Sequence, residues 1–268
     1  MRSEQSGEPH DLPQGARIQP SECQTHGAYD QKIIMILDRE MRLGCPECAR
    51  IQREEQEERD RQSEAYMLRI AMERKLGAAL IPKRFAGKTF ESYRAESPAQ
   101  VKALAKCKAY ASEFRTHAKA GRCMLLLGQP GTGKTHLAVS IANEIMHTSS
   151  NTAVYRTIGS VLQSIRATYA TYSEQTEAGI YASLIEPSLL ILDEIGASKE
   201  KPSDFELVTL FNIINGRYEQ ELPTVIVSNL SAKELPGAIG ERCADRLREG
   251  GPIVVLFNWE SQRGKEGF

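Results

Sequence analysis

A chain of 268 residues can hold one α/β domain of roughly 180 to 200 residues plus a smaller appendage. Its 34 Lys and Arg nearly cancel 35 Asp and Glu, so no global charge draws it onto nucleic acid, and any such binding needs a local patch. The longest apolar run, "KIIMILD", falls far short of the roughly 20 residues that span a bilayer, and "MRSEQSGEPHDLPQG" lacks a signal-peptide core; together these point to a cytoplasmic protein with no membrane partner and reduced cysteines.

In chain order, residues 1–22 are rich in Gly, Pro, Ser, Glu and Gln without periodicity and read as a disordered lead-in. Cys23 and His26 form C-x-x-H, and after eighteen intervening residues Cys45 and Cys48 form C-x-x-C. Two such pairs around a hairpin-sized segment with a β-like run, "QKIIMIL", are what a tetrahedral Cys₃His zinc site needs, because each pair bites one edge of the tetrahedron. With all four positions taken by protein, the zinc would be structural and would replace the core that a 23–48 segment lacks. Free thiols placed by chance are the competing reading. Residues 49–80 are dense in helix formers and polar on all sides until Tyr66, Met67 and Ile70, which predicts a solvated connecting helix and a domain boundary near residue 80.

The stretch 81–98, "IPKRFAGKTFESYRAESP", predicts an irregular entrance to a second domain over 81–268. Beyond it helical patterns alternate with apolar runs at 123–128, 153–158, 188–195, 224–230 and 253–258, which predicts a five-stranded parallel sheet between helices. The first run ends in "GQPGTGKTH" and opens a helix, the context that turns G-x-x-x-x-G-K-[ST] into a phosphate-binding loop. Gly128, Gln129, Pro130, Gly131, Thr132, Gly133 and His136 supply the loop and its flank, Lys134 a charge for the β and γ oxygens of ATP, and Thr135 a hydroxyl for Mg²⁺. "LLILDEI" places Asp193, a second magnesium holder, and Glu194 at a strand's C-terminal end, where Glu194 can orient an attacking water; the pair favours hydrolysis. Cys107, Cys123 and Cys243 read as buried thiols.

The motifs "GQPGTGKTHLA", "ILDEIG", "GERCADRLR" and "VVLFNWESQRGKE", with "TFESYRAESPAQVKALAKCKAYASEF" ahead of the loop, resemble the DnaC/IstB-like family of short AAA+ ATPases over residues 81–268. The resemblance implies a P-loop core without a separate lid domain, for which the stretch after Asn229 leaves no room. It implies an ATP-dependent loader of a DnaB-type replicative helicase onto single-stranded DNA, working as a homo-oligomer when ATP is bound. The zinc-bearing N-terminus departs from the helical one of enterobacterial loaders and resembles phage-encoded versions. By the same resemblance Asn229 is the first sensor, with a cap on the next helix as the alternative. Arg263 in the tail matches the second sensor, a solvated terminal charge being the alternative. Arg242 and Arg246 share a helix face, and Arg246 is taken as the finger that reaches a neighbour's nucleotide with Arg242 in support, the reverse being the other assignment. "VLQSIRATYATYSEQ" offers Arg166, Tyr169 and Tyr172 to single-stranded DNA, or else packs them at helical spacing. An IstB-like transposition ATPase is the second functional reading and a small-molecule kinase the third; the missing lid and substrate pocket weigh against the kinase.

Overall fold

The computed structural model describes residues 16–37, 39–170, 172–197 and 201–263, and within it the chain divides into two units after Ile70. The first unit begins with three antiparallel strands, β1 (Arg17–Cys23), β2 (Gly27–Ile36) and β3 (Arg39–Arg42). Register runs from Arg17 opposite Ile33 to Cys23 opposite Gly27, whose positive φ of 76° closes the turn. β1 therefore reaches back to Arg17, into the stretch expected to be a disordered lead-in; Pro20 sits on this edge strand, where a missing N–H is tolerated. The rest of that expectation, up to residue 15, lies outside the described residues.

After Cys45 comes α1 (Pro46–Ala78), with Pro at its first position, where no N–H is required. None of its side chains is buried. Ion pairs at helical spacing line it instead, Arg50 with Glu47 and Glu54 and Arg61 with Glu58, each worth only a few tenths of a kcal/mol. Its last turns belong to the second unit: Lys75 Nζ donates to the carbonyls of Met146 (2.8 Å) and Ser149 (2.6 Å). The boundary thus falls earlier than the expected one near residue 80, because the helix end is itself a packing element.

The second unit continues through α2 (Lys83–Ala86), α3 (Pro98–Ser112), α4 (Phe114–Lys119), β4 (Met124–Gly128), α5 (Lys134–Thr148), β5 (Ala153–Thr157), α6 (Ile158–Ala167) and α7 (Glu177–Ile185). It ends with β6 (Leu189–Ile195), α8 (Asp204–Glu219), β7 (Thr224–Ser228), α9 (Leu235–Ile239), α10 (Glu241–Glu249) and β8 (Ile253–Phe257). Side-chain caps start the helices: Ser97 with Gln100 forms a capping box on α3, and Thr157, Thr176 and Ser203 cap α6, α7 and α8. All five strands are parallel in the order β5-β6-β7-β4-β8, as the alternating pattern predicts. Alternate residues supply the two layers. Met124, Leu126, Leu189, Ile191, Val225 and Val227 pack against α3 and α5, while Leu125, Leu127, Leu190, Leu192 and Ile226 pack against α6 to α10. Cys107, Cys123 and Cys243 are buried in these layers, as expected.

Among the described residues, Arg217 is the least exposed charged side chain. Arg217, 1% exposed, spends its guanidinium on the carbonyls of Leu184, Ile185, Pro187 and Pro223 and on Thr224 Oγ1. It pins the C-terminal end of α7 to the turn before β7, and burial without a carboxylate partner lowers its pKa to about 10. Tight, planar carbonyl capture is what a guanidinium does best. Replacing it by Met, similar in length but without donors, strands several buried carbonyls. We expect Arg217→Met to cost about 4 kcal/mol, measured by urea unfolding of the second unit's signal; a loss under about 1 kcal/mol would contradict this packing.

Candidate functional site

The C-terminal ends of the parallel strands converge on one edge, and the glycine loop leaves β4 there. Gly128, Gly131 and Gly133 have φ of 134°, 76° and 92°, backbone shapes that side chains resist. Space is equally restrictive. A methyl group on Gly128 would stand 2.4 Å from Phe257 O, on Gly131 2.1 Å from Ser261 Oγ, and on Gly133 2.7 Å from the Tyr93 ring. Thr132 Oγ1 donates to Gln129 O (2.7 Å), tightening the loop, while Gln129 and Pro130 stay exposed. Lys134 opens α5 and is buried, its Nζ donating to Gly128 O (2.8 Å) and Gln129 O (2.7 Å). Burial, with the nearby charge of Arg263 and against that of Asp193, brings its pKa down to about 8. Backbone N–H groups at a helix start beside a buried ammonium make a cradle for a polyanion.

Asp193 closes the site from the end of β6, which β7 separates from β4. Its Oδ2 accepts the Thr135 hydroxyl (2.7 Å) and the Tyr155 hydroxyl (2.8 Å), and its Oδ1 accepts the Glu194 backbone N–H (2.6 Å). Thr135 and Asp193, expected to serve one cation, are thus in direct contact. Glu194 is exposed at φ 60°, and the strand register breaks between Leu192 and Ile195. A left-handed glutamate at a strand end is strained backbone of the kind found at working sites. Asn229 follows β7 at the same edge and is exposed; α9 starts at Leu235 with Glu234 before it, so the cap alternative for Asn229 fails.

The tail returns over the loop. Trp259 Nε1 donates to Thr132 O (3.1 Å) and Gln262 N to Gly131 O (2.8 Å), and the Arg263 side chain passes the face of Gly131. The second-sensor candidate is therefore beside the cradle. Tyr93 adds its hydroxyl to Thr132 O at 3.4 Å. His136 is held within the chain. Its Nε2 donates to Thr89 O (2.9 Å) and lies 3.0 Å from Ser92 Oγ, with the ring edge-on to Tyr93. It fixes the 89–93 loop to the first turn of α5, and burial lowers its pKa, favouring the neutral ring.

Arg246 lies at the other end of the sheet. Its guanidinium stacks 4.5 Å from the Tyr218 ring centre and 3.6 Å from Glu249 Oε2, which also accepts the Tyr218 hydroxyl (2.7 Å). It borders a cavity of about 410 Å³ reached from Cys123 and Thr224, at the beginnings of β4 and β7. Arg246 cannot serve its own chain's loop, which lies at the opposite end of β4. Arg242 is exposed, 6.0 Å over Phe211. Tyr169 and Tyr172, 64% and 95% exposed, follow α6 in a turn, so core packing at helical spacing fails for both; Arg166 rests over Phe205 at 5.3 Å.

In the first unit the ligand atoms of Cys23, His26, Cys45 and Cys48 all lie within 4.8 Å of one another. Cys23 Sγ is 3.5 Å from Cys48 Sγ, and His26 Nδ1 is 3.7, 3.7 and 3.2 Å from the sulfurs of Cys23, Cys45 and Cys48. Ligand atoms held about 2.0 to 2.3 Å from a tetrahedral zinc stand roughly 3.5 to 3.8 Å apart, close to the separations of this set, so its donor chemistry and spacing suit zinc. Backbone N–H groups of Thr25 and His26 draw the Cys23 thiol down to about 6, the thiolate a metal requires, and Cys23 pushes Cys48 up to about 11.

Sequence reasoning missed Tyr93, Tyr155 and Trp259, each isolated by sequence from the motif it supports. Among the described residues no helix is long and apolar enough to cross a membrane. A family model described as IstB-like ATP binding protein matches residues 49–245. The replicative helicase loader DnaC of Escherichia coli (strain K12) is 33% identical over 177 residues, covering 66% of this chain and 69% of DnaC. DnaC of Buchnera aphidicola subsp. Schizaphis graminum is 33% identical over 195 residues, covering 72% of this chain and 76% of its own. The crystal structure of the DnaC helicase loader superposes with a TM-score of 0.58 at 20% identity, covering 66% of this chain and 100% of that one, a likeness of fold. With its loop, its paired Thr135 and Asp193 and its strand order, the chain belongs to the IstB/DnaC family of ATP-binding proteins and carries the AAA+ fold.

Proposed function

We propose that this chain is an ATPase that loads a DnaB-type replicative helicase onto single-stranded DNA, with ATP binding and hydrolysis switching assembly and release. The observation that carries the reading is the Thr135 to Asp193 hydrogen bond beneath a glycine cradle, in a chain one third identical to DnaC loaders. The N–H groups of Gly128 to Gly133 hold the β-phosphate, Lys134 the β and γ oxygens, and Thr135 with Asp193 the Mg²⁺. Bound magnesium supplies charge neutralisation on the phosphate oxygens. Glu194 orients the water, Asn229 and Arg263 contact the γ-phosphate side, and Arg246 with Arg242 reaches the site of an adjacent copy. Arg246 must first leave Tyr218 and Glu249, an exchange that suits a finger engaged only on assembly. Arg166, Tyr169 and Tyr172 meet the single strand through charge and stacking. Cys23, His26, Cys45 and Cys48 hold zinc, which would fix the hairpin in a unit whose sheet buries little besides Ile33.

A second reading, an accessory ATPase of transposition acting on duplex DNA and a transposase, has the name of the matching family model in its favour. Capture experiments separate the two. The purified chain should retain the host's DnaB-type helicase, with Glu194→Gln holding ATP and prolonging the complex, and Lys134→Ala losing nucleotide binding. No complex at micromolar concentration with or without ATP, together with ATP-dependent coating of duplex DNA, would favour transposition.

Metal content gives a separate check. Protein purified without chelator should carry about one zinc per chain by plasma emission, and Cys48→Ser should carry none; a metal-free wild type would remove the zinc assignment.

A further inference from the structure

Asp193 is only 4% exposed, and a carboxylate so placed has to be held by donors. Two of its three come from the expected machinery, the Thr135 hydroxyl and the Glu194 N–H. The third, the Tyr155 hydroxyl at 2.8 Å, belongs to no nucleotide motif. Tyr155 lies on β5, opposite Ile191, with Thr157 opposite Asp193. Its ring is 5% exposed in the layer shared with α5. β5 is an edge strand, yet the Tyr155 N–H is not left free: it donates to Ala79 O (2.9 Å), just past the end of α1. The residue is thus held along both edges of its strand.

We infer that Tyr155 is a positioning residue for magnesium, fixing the rotation of the Asp193 carboxylate; this rests on the nucleotide site proposed above. Both hydroxyls converge on Oδ2, so Oδ1, with a single backbone donor, is the oxygen with a lone pair to spare for a metal-bound water. Without the phenol, Oδ2 keeps only the Thr135 hydroxyl, which the cation also requires, and the carboxylate is held by two donors instead of three. Partners of this outer kind typically govern metal affinity by about 10- to 100-fold.

Tyr155→Phe keeps the ring and deletes the donor. The measurement is the affinity of a fluorescent ATP analogue in EDTA and in millimolar Mg²⁺, for wild type and variant. Metal-free affinity should stay within about twofold of wild type, while the gain on adding Mg²⁺ falls by about 10-fold or more. An unchanged gain, or an equal loss in both buffers as a packing defect would give, overturns the inference. Wild type that binds the analogue in neither buffer sinks the nucleotide reading beneath it instead.

Discussion

The Thr135 hydroxyl donating to Asp193 is the contact on which the rest of the ATP-binding unit depends. It joins the first turn of α5, which follows β4 across the glycine loop, to the end of β6, and β4 and β6 are not neighbours: β7 lies between them. The bridge can form only because all the strands run parallel and end at one edge, with both sheet faces filled by aliphatic residues of helices on either side. Ser228 at the end of β7 completes the edge by donating to Ile195 O (2.6 Å). Strand ends stapled in this way hold the glycine loop and the Asp193 carboxylate within a hydrogen bond of each other, the preorganisation that the proposed phosphoryl chemistry asks of a protein.

Around that contact the chain adds restraint where the loop itself has none. A glycine loop is entropically soft, and here Trp259, Gln262 and Tyr93 clamp it through the carbonyls of Gly131 and Thr132. The clamp explains why Gly131 and Gly133 admit no methyl group, their blocking neighbours being Ser261 of the tail and Tyr93, while Gly128 is closed off by the Phe257 backbone of β8. It also brings the positive charge of Arg263 up to the buried Lys134, so the cradle concentrates charge that an anion would relieve. In the first unit restraint has a different source. A three-stranded sheet with few buried residues has four potential metal-ligand atoms gathered at one end of the hairpin.

Much of this was legible in the sequence because period and motif are local signals. The five apolar runs became β4 to β8, and the C-x-x-H and C-x-x-C pairs came together as their spacing required. What escaped were features decided by contacts distant in sequence. Tyr155 meets Asp193 only because β5 pairs with β6, and Trp259 meets Thr132 only because β8 pairs with β4. His136 adjoins the loop in sequence, yet its place on the first turn of α5 turns it toward Thr89 and Ser92. Arg17 to Glu22 looked structureless by composition, but a hairpin partner overrides composition. The polar helix α1 was read correctly along most of its length; its final turns were not, since Lys75 finds carbonyl partners in α5 and just after it that no periodicity announces.

The central claim is that Thr135 and Asp193 together build one magnesium-dependent nucleotide site per chain. Isothermal titration calorimetry of the whole chain with ATP, with and without Mg²⁺, tests it most directly. The account predicts one ATP per chain, bound more tightly with the metal, and loss of that tightening in Asp193→Asn. A chain that takes up no ATP at millimolar concentration, or an Asp193→Asn variant whose response to magnesium matches wild type, would contradict it.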